Sequence, residues 1–144
     1  MTWATVFLMM ILVAGCGQAT ADVPEAAKNT FQAYVELELK GWDELQASMG
    51  KYLTGPALSM APHYAISKGQ LEKPIEYTLL DKRPPFIVMS ASVEYAVDDE
   101  YLGHRTYQSL AEVTMVEAAP NTWKIYSLRH IISGQAQQEE ETTP

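Results

Sequence analysis

The spacing of apolar and polar side chains divides the chain into three rhythms. Residues 3 to 14 are an almost unbroken apolar run. After a short polar stretch, Ala27, Phe31, Val35, Leu39 and Trp42 recur at steps of four and three, which predicts an amphipathic helix. Its start is marked by "DVPE": Asp22 can cap, Pro24 suits a first turn where no donor is needed, and Glu25 stands three after Asp22 as in a capping box. The local run "VELELK" also alternates like a strand, but the longer stripe decides for helix. Gly41 can end it in a left-handed cap, and Asp43 can open a second helix with Leu45, Met49, Tyr52 and Leu53 inward. "TGPALSMAPHYAISKGQ" continues as one or two short helical pieces, broken near Pro62 because proline has no N–H to donate.

From Ile75 the period becomes two. Ile75, Tyr77 and Leu79 alternate before the "DKRPP" break, and a longer alternation runs through Ile87, Met89, Ala91, Val93, Tyr95 and Val97. A third strand is predicted over Arg105 to Glu117 and a fourth over Trp123 to Ser133, with "AAPN" as the turn between them. Helices first and an antiparallel meander afterwards imply an α+β fold, with the N-terminal helices packed on one face of the sheet. The closing "GQAQQEEETTP" is polar and acidic, without an apolar anchor, and reads as a disordered tail over residues 134–144.

The first apolar run is too short to span a bilayer, which takes about 20 residues, and it matches the core of a secretory signal. Only the terminal amine supplies positive charge ahead of it. At its end stands Leu12-Val13-Ala14-Gly15-Cys16, containing the chain's single cysteine. This stretch resembles the lipobox of bacterial lipoproteins, in which small residues precede an obligatory cysteine. The resemblance implies cleavage before Cys16 and attachment of acyl chains such as palmitate, making residues 1–15 a signal peptide and residues 16–22 a lipidated tether. Two or more acyl chains anchor stably where one is marginal.

Composition agrees with attachment by lipid rather than by charge. A net charge of -8, from 10 basic and 18 acidic side chains, is the wrong sign for nucleic acid or for an anionic membrane surface. Beyond Cys16 there is no cysteine, so the remaining domain holds together without disulfides.

The order of elements, with "AAKNTFQAYVELELKGWDELQASMGKYLTG" ahead of long strands and a closing "NTWKIYSLRHI", resembles the nuclear-transport-factor-2-like, or ketosteroid-isomerase-like, superfamily over residues 23–133. That resemblance implies a cone-like, cystatin-like domain in which helices cover a curved antiparallel sheet. The superfamily contains both enzymes and nonenzymatic binders, so fold alone does not assign a task.

Catalytic and metal-binding signatures are sparse. His63, His104 and His130 read as solvated or capped histidines rather than bases. HExxH, His-x-His and calcium-loop spacings are absent from the sequence, so no metal or other cofactor is expected, and Asp98-Asp99-Glu100 reads as a solvated turn. If alternation from Trp123 and Ile125 continues, Ser127 and Arg129 face the interior as well. Tyr95, Tyr107, Trp123 and Arg129 then form a candidate ligand site in which the guanidinium grips a carboxylate between aromatic walls. The alternative is that the aromatics fill the core and Arg129 pairs with Glu94 or Glu112. The sequence expectation is a lipoprotein of the cell or outer membrane, on the extracytoplasmic side, with a noncatalytic domain for protein or envelope interactions. Small-ligand binding or isomerase-like chemistry is the alternative.

Overall fold

The computed structural model describes residues 22–61 and 68–135. The apolar run, Cys16, His63 and the residues after Gln135 lie outside the described residues. Helix α1 is Glu25–Glu38, α2 is Trp42–Ser48, and α3 is Gly55–Ser59, with a 3-10 turn at Met49–Lys51. Five strands follow: β1 Gly69–Leu71, β2 Glu76–Arg83, β3 Phe86–Asp99, β4 Gly103–Ala119 and β5 Thr122–Gln135. The fold is α+β, with every strand pair antiparallel.

The entry to α1 differs from the capping box. The helix begins at Glu25 with Pro24 at the cap, and the Pro24 carbonyl accepts from the Ala27 and Lys28 amides at 2.9 and 3.1 Å. Asp22 is thus two positions too early to cap. Its carboxylate instead accepts from the Val23 amide at 2.8 Å and pairs with Lys28 Nζ at 3.2 Å. Gly41 separates α1 from α2 with φ 108°, a conformation open to glycine and costly for residues with a Cβ.

Strand β3 organises the sheet. On one side β2 pairs along Phe86 to Ser92 and β1 along Tyr95 to Val97, while β4 and then β5 extend the other side. Strand β1 falls in a segment expected to be helical. Its three residues are drawn extended by the part of β3 that β2 does not reach, and a Cβ at Gly69 would overlap the Ala96 carbonyl oxygen. The two longer hairpins turn where the sequence offers permissive residues: Gly103 at φ 74° after the acidic run, and Asn121 at φ 56° beside Pro120. Strand β5 ends at Gln135, two residues past the expected domain end.

The core lies between one sheet face and the helices. Ile87, Met89, Ala91 and Val93 on β3 alternate inward, joined by Val113 and Met115 on β4 and by Trp123 and Ile125 on β5. Phe31, Tyr34 and Val35 of α1, Leu45 of α2 and Leu53 close over them. Each such side chain, fully buried, contributes about 1.5–3 kcal/mol of transfer free energy. Tyr77 of β2 ties helix to sheet, stacking edge-on against Phe31 at 6.2 Å and donating from its hydroxyl to the Lys28 carbonyl at 3.2 Å. Leu53 joins the edge of β5 as a bridge: Ile125 N–H donates to Tyr52 O at 2.7 Å, and Thr54 N–H to Ile125 O at 2.9 Å.

Candidate functional site

The packing of α1 on the sheet leaves a gap. There a cavity of about 250 Å³ remains between the helix and strands β3, β4 and β5. From α1 its walls take Phe31, Tyr34, Val35 and Glu38, which fall on one face at steps of three, one and three. Alternation brings Val93, Tyr95 and Val97 to it from β3, and Ser109 and Ala111 from β4.

Strand β5 would present Ser127 and Arg129 if its alternation ran unbroken from Trp123. It does not. Met115 pairs with Ile125 but Thr114 pairs with Ser127, so Tyr126 is an extra, bulged residue. One inserted residue reverses the faces of everything after it. Leu128 and His130 therefore line the cavity, while Arg129 is exposed and its guanidinium donates to Glu112 Oε1 at 3.1 Å on the other side of the sheet. A second irregularity, between the Ala111–His130 and Leu110–Ile132 pairs, makes Ile131 the extra residue and returns Ser133 to the cavity.

The other expected site residues are dispersed. Tyr95 is a cavity wall, and Tyr107 lies against it as a stacked ring with centroids 5.6 Å apart. Trp123 is 8 % exposed within the core, remote in strand position from both tyrosines. His104 pairs with Asp98 at 2.8 Å on the exposed hairpin. Next to it Asp99 Oδ1 accepts from the Tyr101 and Leu102 amides, each at 2.8 Å, and these bonds lower its pKa by favouring the carboxylate. The acidic run thus shapes a turn. Among the described residues no group of three or more His, Cys, Asp or Glu side chains could hold a metal ion.

Two polar pairs line the cavity, of which the sequence reading passed over the first and gave His130 of the second as a solvated or capped histidine. Tyr34 Oη donates to Glu38 Oε1 at 2.7 Å, one helical turn along. Burial pushes the Glu38 carboxyl above its ordinary value, a rise that the tyrosine bond partly offsets. Across from it Ser109 Oγ and His130 Nδ1 are 2.9 Å apart. Burial lowers the His130 pKa, favouring the neutral ring, which can exchange a hydrogen bond with the serine in either direction. Tyr34, Glu38, Leu128 and His130 also border a second cavity of about 230 Å³, whose lining adds Leu53, Ala57 and Met60 and, of the residues expected inside, Ser127. The four side chains therefore sit at the junction of two lobes. Such a junction can donate and accept hydrogen bonds inside mainly apolar walls, the usual make-up of a small-molecule site.

A sequence signal existed for the first pair. Tyr34 and Glu38 flank the stripe Phe31, Val35, Leu39 at helical spacing, so a wider inner face would have included them. No comparable signal marks His130, because its orientation depends on the bulge at Tyr126.

Comparison with models of known families, with curated proteins and with solved structures finds no match.

Proposed function

We propose that this chain is a lipid-anchored, extracytoplasmic protein whose domain binds a small, mostly apolar molecule in the cleft under α1. The anchor rests on the lipobox-like Leu12 to Cys16 and the apolar run before it. A cone-like arrangement of the nuclear-transport-factor-2-like kind is supported by helices preceding an antiparallel sheet, with α1 laid over one face. The ligand reading is carried by one observation: a cavity of about 250 Å³, walled by Phe31, Val93, Tyr95 and Leu128, has two hydrogen-bonded polar pairs in its lining. That volume suits a single ring with one or two polar substituents.

Saturation-transfer NMR of the full chain in lipid nanodiscs, against a set of single-ring fragments, tests this reading. Binding is expected for several fragments and is expected to vanish in Leu128→Trp, whose indole fills the junction of the lobes. Retained circular dichroism in the variant separates blocking from unfolding. If no fragment binds the unaltered chain, the cleft is not a ligand site.

Docking of an envelope protein is the second reading. It is favoured by apolar side chains left outside the core: Tyr101 and Leu102 at the β3–β4 turn, 90 % and 58 % exposed, and Ile131 and Ile132 on β5, 50 % and 64 % exposed.

A further inference from the structure

The ligand-binding reading leaves the charge of the ligand open, and the walls of the cleft speak to it. We infer that the cleft selects organic cations: a protonated amine against Glu38, on an apolar body held by Phe31, Tyr95 and Leu128. The inference rests on the ligand reading above and narrows it to one chemical class.

Four observations lead there. First, among the described residues neither lysine nor arginine lines either lobe, and the nearby Arg129 is turned outward to Glu112. An anionic ligand would meet no counter-charge and would sit beside a carboxyl group. Second, Glu38 borders both lobes, and its bond from Tyr34 occupies Oε1 alone. The second oxygen, Oε2, takes no hydrogen bond from the described residues, and no fully buried polar side-chain atom among them lacks a partner. Oε2 therefore keeps accessible surface, on a residue that lines both lobes. Third, Phe31, Tyr34 and Tyr95 line the same cavity as this carboxyl, and an aromatic ring attracts a cation to its face through its quadrupole. Fourth, a net charge of -8 draws cations towards the molecule as a whole.

The electrostatics of the cleft agree. Burial disfavours the Glu38 carboxylate, and a bound ammonium would supply the charge partner that the walls lack. Among the described residues the titratable groups that line the two lobes with Glu38 are Tyr34 from α1, Tyr95 from β3 and His130 from β5, and burial favours the neutral form of the last. Amine binding should therefore release a proton wherever Glu38 is protonated beforehand. Affinity should rise with pH above the ordinary carboxylate value of 4.5 and level off once the free carboxyl has ionised.

The test compares benzylammonium, benzyl alcohol and benzoate, three ligands of one shape and different charge, on the full chain in nanodiscs with empty nanodiscs as reference. Isothermal titration and saturation-transfer NMR give the ranking. Benzylammonium should bind at least about tenfold more tightly than benzyl alcohol, with benzoate weakest, as expected for one charge-assisted hydrogen bond in a desolvated site. Glu38→Gln, which keeps an oxygen to accept from Tyr34, should erase the amine's advantage over the alcohol. Equal binding of amine and alcohol, tighter benzoate, or an amine preference that survives Glu38→Gln would overturn cation selection while leaving a ligand site in place. Absence of binding by all three would overturn the ligand reading itself. The three-way comparison on the unaltered chain decides the matter even if Glu38→Gln does not fold.

Discussion

Glu38 is the residue where fold and function pull apart. It lies inside α1 beside buried Tyr34 and Leu37, and its one hydrogen bond does not cancel the cost of desolvating its charge. A carboxyl whose folded pKa is raised contributes fully to stability below the unfolded value of 4.5, and that contribution is lost as pH rises through the folded pKa. Glu38→Gln removes the penalty. At neutral pH the variant should melt higher than the unaltered chain, on the order of a few degrees, because about 1 kcal/mol moves Tm by about 4–8 °C in a domain of roughly this size. The gain should disappear below pH 4.5, where both side chains are neutral. A variant equally or less stable at neutral pH would show that the carboxylate is well solvated. His130 acts in the opposite sense: its lowered pKa withdraws stability as pH falls below 6.5, so an acid limb in a melting profile combines two residues and is resolved only by comparison with Glu38→Gln. Tyr34 and Glu38 were legible as the inner flank of a helical stripe. The elevation of the Glu38 pKa was not, because it depends on how closely the sheet approaches.

At the scale of elements, strand β5 decides what the cleft contains. Its first residues follow strict alternation, and Trp123 and Ile125 reach the core as their spacing predicts. The bulge at Tyr126 then exchanges the faces, so projection along the sequence brings in Arg129 where the fold brings in Leu128 and His130. Local pattern carries no mark of such an insertion, since it is fixed by the pairing with β4. What holds the bulge is visible only in three dimensions. The Tyr126 ring meets Phe86 edge-on with centroids 5.2 Å apart, and it also covers Gly55 at the start of α3. A Cβ on Gly55 would stand 2.7 Å from the Tyr126 ring, and the backbone there has φ 52°. Gly55→Ala should therefore destabilise by about 1–3 kcal/mol, through strain at positive φ and displacement of that ring. Denaturant unfolding measures it. A change within about 0.5 kcal/mol, the range for an unconstrained surface site, would mean that α3 and the bulge are not coupled. The short β1 teaches the same lesson in reverse: "KGQL" carries no strand signal of its own, and the unpaired end of β3 makes it one.

The whole molecule was the most legible level. Helical spacing ahead of alternating spacing gives an α+β order, and the four longer strands fall where alternation places them, except that β2 continues through Asp81 to Arg83, residues the sequence reading gave to the break. The proposed attachment to a membrane rests on the lipobox-like residues 12 to 16, and the negative net charge makes lipid rather than a basic patch the means of adhesion in that proposal. In bacterial cells the mature protein should carry diacylglycerol on Cys16, seen as added mass by intact-mass spectrometry, and the uncleaved form should accumulate with globomycin. A mature chain without lipid mass would remove the anchor from the proposal and leave the cleft untouched. The central claim concerns the cleft, and its most direct measurement is a two-dimensional NMR titration of the chain with any single-ring fragment that binds. Shifts are expected to cluster on Phe31, Tyr34 and Glu38 of α1 and on Tyr95, Ser109, Leu128 and His130 of the sheet, with the Glu112–Arg129 face silent. Saturable shifts confined to that outer face or to the Tyr101–Leu102 turn, or no shifts at the cleft, would contradict it.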